Sequence, residues 1–161
     1  MIDAPGSALD AVSPYPDRPD FMVQGLTPDE IVGKIHPDSR VIGMTCMFST
    51  LWPLTNRLAQ SIREKFPEAL LVLGGEHGTA VPEHVLGTSP FDVVVLGEGE
   101  ETFVELLRAH QDGRPLSEVK GIAFRRDGRL VSNGLSARRR NVDAIPLPDW
   151  DAFPIDEYIK R

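Results

Sequence analysis

The sequence predicts an α/β protein: a parallel sheet with flanking helices, followed by a β-hairpin and an extended connector. Three observations carry this. The runs Ala69–Leu73 and Asp92–Leu96 are too short for helices and apolar at successive positions, as strands buried on both faces are. Each ends in a glycine-rich turn, Gly74-Gly75 and Gly97-Glu98-Gly99, and a helix-type pattern follows each turn. A third apolar run, Arg40–Phe48, precedes them with a helix of its own, so strand and helix alternate three times. That alternation implies right-handed crossovers and puts both glycine turns at the carboxyl ends of the strands, where open α/β sheets bind ligands.

Each element has its local reason. Residues 4–20 hold four prolines, Pro5, Pro14, Pro16 and Pro19, a density that predicts an extended loop without regular structure. Thr27 then caps a short helix, with Pro28 in its first position and Glu30 completing a capping box. Leu26 and Ile31 stand where a hydrophobic staple needs them. Ile31, Val32 and Ile35 give the buried face, and His36-Pro37 stops the helix. After the strand Arg40–Phe48, Ser49 or Thr50 is expected to cap a helix with Pro53 in its first turn and Leu54, Leu58, Ile62 and Phe66 as its apolar stripe.

A short helix is expected at Pro82–Leu86. The helix after the third strand should carry Glu100 and Glu101 in its first turn, where the dipole favours negative charge. Its buried stripe is read as Phe103, Leu106, Leu107 and His110. Beyond Gly113 the pattern changes. Gly121–Ser132 reads as a hairpin turning on Asp127-Gly128, a type I′ pair. Val142–Pro154, with three prolines among large apolar residues, reads as a connector that packs Ile145, Leu147, Trp150 and Phe153 on a neighbour.

Composition narrows the function classes. A chain of 161 residues, 41% hydrophobic and 25% charged, fits one ordinary globular domain. The net charge of −7 argues against nucleic acid or an anionic membrane as a partner, and Arg138–Arg140 reads as a solvated loop. No apolar run approaches the roughly 20 residues that span a bilayer, and no signal peptide opens the chain, so the expected compartment is cytoplasmic. One cysteine, Cys46, excludes an internal disulfide and any all-cysteine metal site within these residues. It reads as a small buried hydrophobe.

The ordered set Val41-Ile-Gly-Met-Thr45, Gly74-Gly-Glu-His-Gly-Thr-Ala80, Pro82-Glu83, Asp92–Thr102 and Ile145–Asp151 resembles the cobalamin-binding domain of B12-dependent radical SAM enzymes. Met47-Phe48-Ser49 and Trp52-Pro53 resemble one subgroup. The resemblance spans nearly the whole chain. It implies a flavodoxin-like (Rossmann-like) five-stranded sheet, here incomplete at the N-terminus, with residues 1–113 as the cobalamin-binding α/β domain. Residues 114–161 would be the hairpin and connector toward a radical SAM domain.

The implied function is a module, not catalytic alone, that positions the corrin for a SAM and 4Fe-4S domain of a methyltransferase-like enzyme, in cis or in trans. The implied cofactor site takes Thr45, Met47 and Phe48 after one strand and Gly74 and Gly75 after the next. Gly97, Glu98 and Gly99 follow the third, with Thr79 and Thr102 as polar partners. His77 is a candidate beside them, in a different loop from the Asp-x-His-x-x-Gly motif of other B12 proteins, which this sequence lacks. The three-cysteine cluster motif is also lacking, so no metal ligand is assigned. Glu100 and Glu101 read equally as a helix start, Trp52 and Phe48 equally as core, and His36, His84 and His110 as helix-surface or helix-end residues.

Two expectations complete the reading. Without the first strand of the implied sheet, Val41–Met47 becomes an apolar edge. The chain is then a fragment, or half of a split protein, that binds cobalamin poorly or not at all alone. The alternative from another class is a stand-alone doubly wound module taking a nucleotide or phosphate at the same edge.

Overall fold

The computed structural model describes residues 1–15, 18–136, 143 and 145–160, so Pro16 and Arg138–Arg140 lie outside the described residues. The chain divides into two units, one of Met1–Pro37 with Asp143–Arg161 and one of Asp38–Val142.

In the first unit, β1 (Val12–Tyr15) and β2 (Arg18–Gln24) form an antiparallel ribbon where an irregular loop was expected. Proline is excluded from the middle of a sheet, but each strand of a two-stranded ribbon has an unpaired side. Pro14 and Pro19 therefore fit, and the register shifts between Pro14 and Tyr15. Helix α1 (Pro28–Lys34) starts as expected: the Glu30 N–H donates to the Thr27 hydroxyl, and the Thr27 N–H donates to the Glu30 carboxylate at 2.8 Å. Val32 is its buried residue, with Ile31 and Ile35 half-buried.

The second unit is built on a five-stranded sheet in the order β3 (Val41–Thr45), β4 (Leu70–Gly74), β5 (Val93–Val95), β6 (Ile122–Arg126), β7 (Arg129–Ser132). The first three strands are parallel, with Val41 opposite Leu70 and Thr45 opposite Gly74. The hairpin joins the same sheet antiparallel beside β5. Asp127 and Gly128 both have positive φ, at 52° and 74°, as a type I′ turn requires. Among the described residues strand β3 pairs only with β4, which puts this apolar strand at the sheet's edge as expected.

Helix α2 (Trp52–Lys65) lies between β3 and β4, and α3 (Glu76–Ala80) and α4 (Pro82–Thr88) between β4 and β5; α5 (Thr102–Gln111) follows β5. Two stripes differ from expectation. The α2 segment buries Trp52, Thr55, Ala59, Ile62 and Phe66, while Leu54 and Leu58 are half-buried. A strict four-residue step drifts about 40° per step around a helix of 3.6 residues per turn, so alternating steps of three and four hold one face better. In α5 the buried residues are Thr102, Leu106 and Ala109, and Leu107 and His110 are exposed. Glu100 precedes that helix and Glu101 stands at its N-cap position, where its side chain makes no capping hydrogen bond.

Ser49 and Thr50 do not cap α2. Residues Ser49–Leu51 form a 3-10 turn, and Leu51 stands at the N-cap. Helix α3 went unexpected because five residues with a central glycine show no periodicity. The absent side chain is what seats it, since a Cβ on Gly78 would lie 2.9 Å from Val94. One face of the sheet packs Val72, Val93, Val95, Ile122 and Phe124 against Leu106 and Ala109 of α5. By alternation Leu71, Leu73 and Val94 point to the other face, where α3 sits.

At the amino ends of the strands the Arg63 guanidinium donates to the carbonyls of Pro67, Ala69 and Pro90 and to Asp92 at 2.6 Å. Asp92 also accepts the Leu71 N–H at 2.8 Å. In the first unit, α6 (Ile155–Ile159) places the Tyr158 hydroxyl 2.9 Å from Asp3, to which it donates. Of the connector residues expected to pack on a neighbour, Leu147 is 90% and Trp150 61% exposed within this chain. Among the described residues no helix is long and apolar enough to cross a membrane.

The Arg63–Asp92 network predicts a measurable loss. Asp92→Ala strips a charged acceptor from both a guanidinium and a strand N–H, and should lower the unfolding free energy by about 2 kcal/mol in urea titrations. A change below about 0.5 kcal/mol would show that the network holds nothing together.

Candidate functional site

The parallel strands end together at Thr45, Gly74 and Val95, and the loops after them form one edge. A chain of backbone bonds fastens these loops. The Cys46 N–H donates to the Gly74 carbonyl at 2.9 Å, and the His77 N–H donates to the Cys46 carbonyl at 3.1 Å. The Gly97 N–H then donates to the Thr79 hydroxyl at 2.9 Å, and that hydroxyl donates to the Gly75 carbonyl at 3.3 Å. Three loops are thus one fixed surface.

The two glycines after β4 have different jobs. Gly75 turns with φ 94°, and a Cβ there would lie 2.6 Å from the Cys46 carbonyl oxygen and 3.0 Å from the Thr45 hydroxyl. The chain's own folding demands glycine at that position. Gly74 has no such constraint: its φ is not positive, and a Cβ would meet only the Met44 carbonyl at an ordinary 3.9 Å. Gly99 is similarly unconstrained, with Val95 at 3.8 Å, while Gly97 turns at φ 75°. Folding leaves the bareness of Gly74 and Gly99 unexplained.

Beside this bare backbone stands an apolar ledge. Met47 is 50% and Phe48 68% exposed, with Leu51 and Val81 also exposed. Phe48 is therefore not core, whereas Trp52 is buried. Cys46 is buried behind the ledge, and burial pushes its thiol pKa up, a hydrogen bond with Thr55 acting the other way. Glu98 is exposed in the loop after β5.

Three candidates face inward instead. Thr79 spends its hydroxyl tying the β4 and β5 loops. Thr102 is buried and donates to the Ser136 hydroxyl at 3.2 Å. His77 is 6% exposed, with Nδ1 2.9 Å from the Ser49 hydroxyl and its ring 4.7 Å from that of Trp52. Burial, then the nearby His84, lower its pKa, so it is neutral near pH 7. Sequence reasoning missed Ser49 as its partner, because a hydroxyl before a proline-marked helix reads first as a cap. Among the described residues no cluster of three metal-ligating side chains occurs.

Comparison with known proteins gives a consistent result. The family model described as "B12 binding domain" matches residues 22–107, more than half of the chain. An uncharacterized methyltransferase of Pyrococcus horikoshii is 33% identical over 85% of this chain and 31% of its own length. The anaerobic magnesium-protoporphyrin IX monomethyl ester cyclase of Rubrivivax gelatinosus is 32% identical over 87% of this chain and 26% of its own. The chain thus spans a third or less of these relatives. The cobalamin-dependent S-adenosylmethionine radical enzyme OxsB, solved with aqua-cobalamin and S-adenosylmethionine, shares the fold. Its TM-score is 0.70 at 21% identity, over 83% of this chain and 19% of that one.

The contrast between neighbouring glycines is testable without any ligand. Gly75→Ala should destabilise the protein by about 2 kcal/mol or more, because it adds left-handed strain to a clash with backbone. Gly74→Ala should cost less than about 1 kcal/mol. Equal losses in thermal unfolding would mean that both positions serve folding alone.

Proposed function

This chain belongs to the B12-binding domain family, and we propose that it is the cobalamin-binding module of a B12-dependent radical SAM enzyme of the methyltransferase-like kind. The observation that carries the reading is the bare backbone at Gly74 and Gly99 beside an exposed apolar ledge. A broad macrocycle needs close approach to main chain on one side and apolar contact on the other.

The residues present fit that group. Thr45, Gly74 and Gly75 offer a surface free of bulk after β3 and β4, Met47 and Phe48 the apolar contact, and Gly97, Glu98 and Gly99 the third side. Glu98 accepts N–H bonds, which suits the amide-substituted rim of a corrin. Thr79 and Thr102 support the edge from beneath. When bound, cobalamin supplies a cobalt centre that carries an alkyl group between donor and acceptor. The protein's part is to bind, orient and keep water from one face.

The charge pattern disfavours the nucleotide alternative. Residues 45–51, 74–81 and 96–102 contain no lysine or arginine, while they carry Glu76, Glu98, Glu100 and Glu101. A polyphosphate site would present cations or a glycine-rich helix start without carboxylates. The family match also fails to favour it. The SAM and 4Fe-4S cluster would belong to a further domain, in cis or in trans, toward which residues 114–161 lead, and the assembly would be cytoplasmic.

Equilibrium dialysis with hydroxocobalamin tests this. The chain should retain cobalamin, and Gly74→Val or Gly99→Val should weaken retention at least about tenfold with an unchanged melting temperature. No binding at any accessible concentration, by this chain or by a longer chain that includes it, overturns the reading. So does equal binding by both valine variants.

A further inference from the structure

His77 is buried at the ligand edge yet adds no surface to it. Its backbone N–H donates to the Cys46 carbonyl and its Nδ1 lies 2.9 Å from the Ser49 hydroxyl, so it grips both ends of the Met47–Phe48 segment. Trp52, at the start of α2, covers the ring. Its other nitrogen, Nε2, is buried with no hydrogen-bond partner. We propose that Ser49 and His77 form a proton-sensitive latch: neutral His77 is a positioning residue that holds the Met47–Leu51 ledge, and protonation releases it. The role assigned to the ledge rests on the proposed cobalamin function; the latch itself does not.

The surroundings offer a proton no compensation. From α4 comes His84, which repels a charged His77. The loop after β3 contributes the buried Cys46 thiol. Strands β4 and β5 contribute only leucine, valine and glycine, and the first turn of α2 contributes Trp52 and Thr55. The carboxylates of the packed elements, Glu76 on α3, Glu83 on α4 and Glu98 after β5, all occupy exposed positions. A buried imidazolium would therefore add an uncompensated charge to an Nε2 that already has no partner, and the side chain must move outward to hydrate. Because its pKa in the folded protein is depressed, the latch stabilises fully above the usual 6.5 and weakens as pH falls below it.

The chain holds two tryptophans, so Trp150→Phe leaves Trp52 as the reporter; His84→Asn removes the other imidazole near it, 6.0 Å away, and release of His77 takes away the ring that lies 4.7 Å from the indole. Emission and amide exchange of residues 46–51, corrected for intrinsic rates, are followed on the ligand-free chain from about pH 8 to about pH 5. The expected result is a change in emission with a midpoint below 6.5 and protection falling about tenfold over the same range. His77→Asn, which can still reach Ser49 but does not titrate, should abolish both transitions. Ser49→Ala should lower protection of the segment at every pH. A transition that persists in His77→Asn, or protection that stays flat in the parent, overturns the latch.

Dialysis with hydroxocobalamin then separates the two claims. Affinity should fall about tenfold between about pH 7.5 and about pH 5.5 in the parent and less than about twofold in His77→Asn. Equal falls overturn the latch's control of the ledge. Absence of binding at every pH, in this chain and in a longer chain that includes it, overturns the cobalamin reading and leaves the latch judged by exchange and emission.

Discussion

The close contact between Gly75 and the Cys46 carbonyl is the constraint on which the edge depends. Thr45 and Gly74 end their strands in register, and the chain must leave both without its loops colliding. A left-handed turn at Gly75 resolves this, and only the absence of a Cβ lets the two backbones approach. Once they touch, the His77 N–H reaches the Cys46 carbonyl and starts α3 against the sheet. Helix α3 in turn presents Thr79 to Gly97, so the loop after β5 inherits its position from a glycine on the neighbouring strand's loop. Each link is a single hydrogen bond, but the three loops share them in series.

This explains how an exposed apolar ledge is tolerated. Met47 and Phe48 gain little by burial within the described structure, and free side chains of that size would ordinarily let a loop collapse onto the core. The backbone on both sides of them is fixed first: Cys46 is buried and bonded to β4, and Ser49 is bonded to His77. Preorganisation of this kind spares a ligand the cost of ordering the loop on binding. The sheet below supplies the rigidity, through Val72, Val93 and Val95 on one face and Leu71, Leu73 and Val94 on the other.

Much of this was legible in the residues, for local reasons. The capping box of Thr27 and Glu30, the Asp127-Gly128 turn and the three parallel strands each rest on signals within a few residues of one another. The glycine pair marked the edge correctly as a place without side chains. What escaped were features set across the fold. The β1–β2 ribbon uses strands whose free sides accommodate proline, α3 is too short to show a period, and the α2 face turns on Thr55 and Ala59, which hydropathy undervalues. The division of labour between Gly74 and Gly75 was likewise invisible, because it depends on where the Cys46 carbonyl lands.

The position of β3 gives these loop bonds their weight. It is the strand nearest the ledge, and among the described residues it pairs on one side only, with β4. An edge strand frays more readily than a central one, and any loop it carries shares that freedom. The contacts that oppose fraying all point the other way, toward β4 and α3: Cys46 to Gly74, His77 to Cys46, and His77 to Ser49. Of these, the side-chain bond is the one whose strength depends on protonation. It joins α3 to the residue that follows Phe48, and the order of the apolar ledge follows from it.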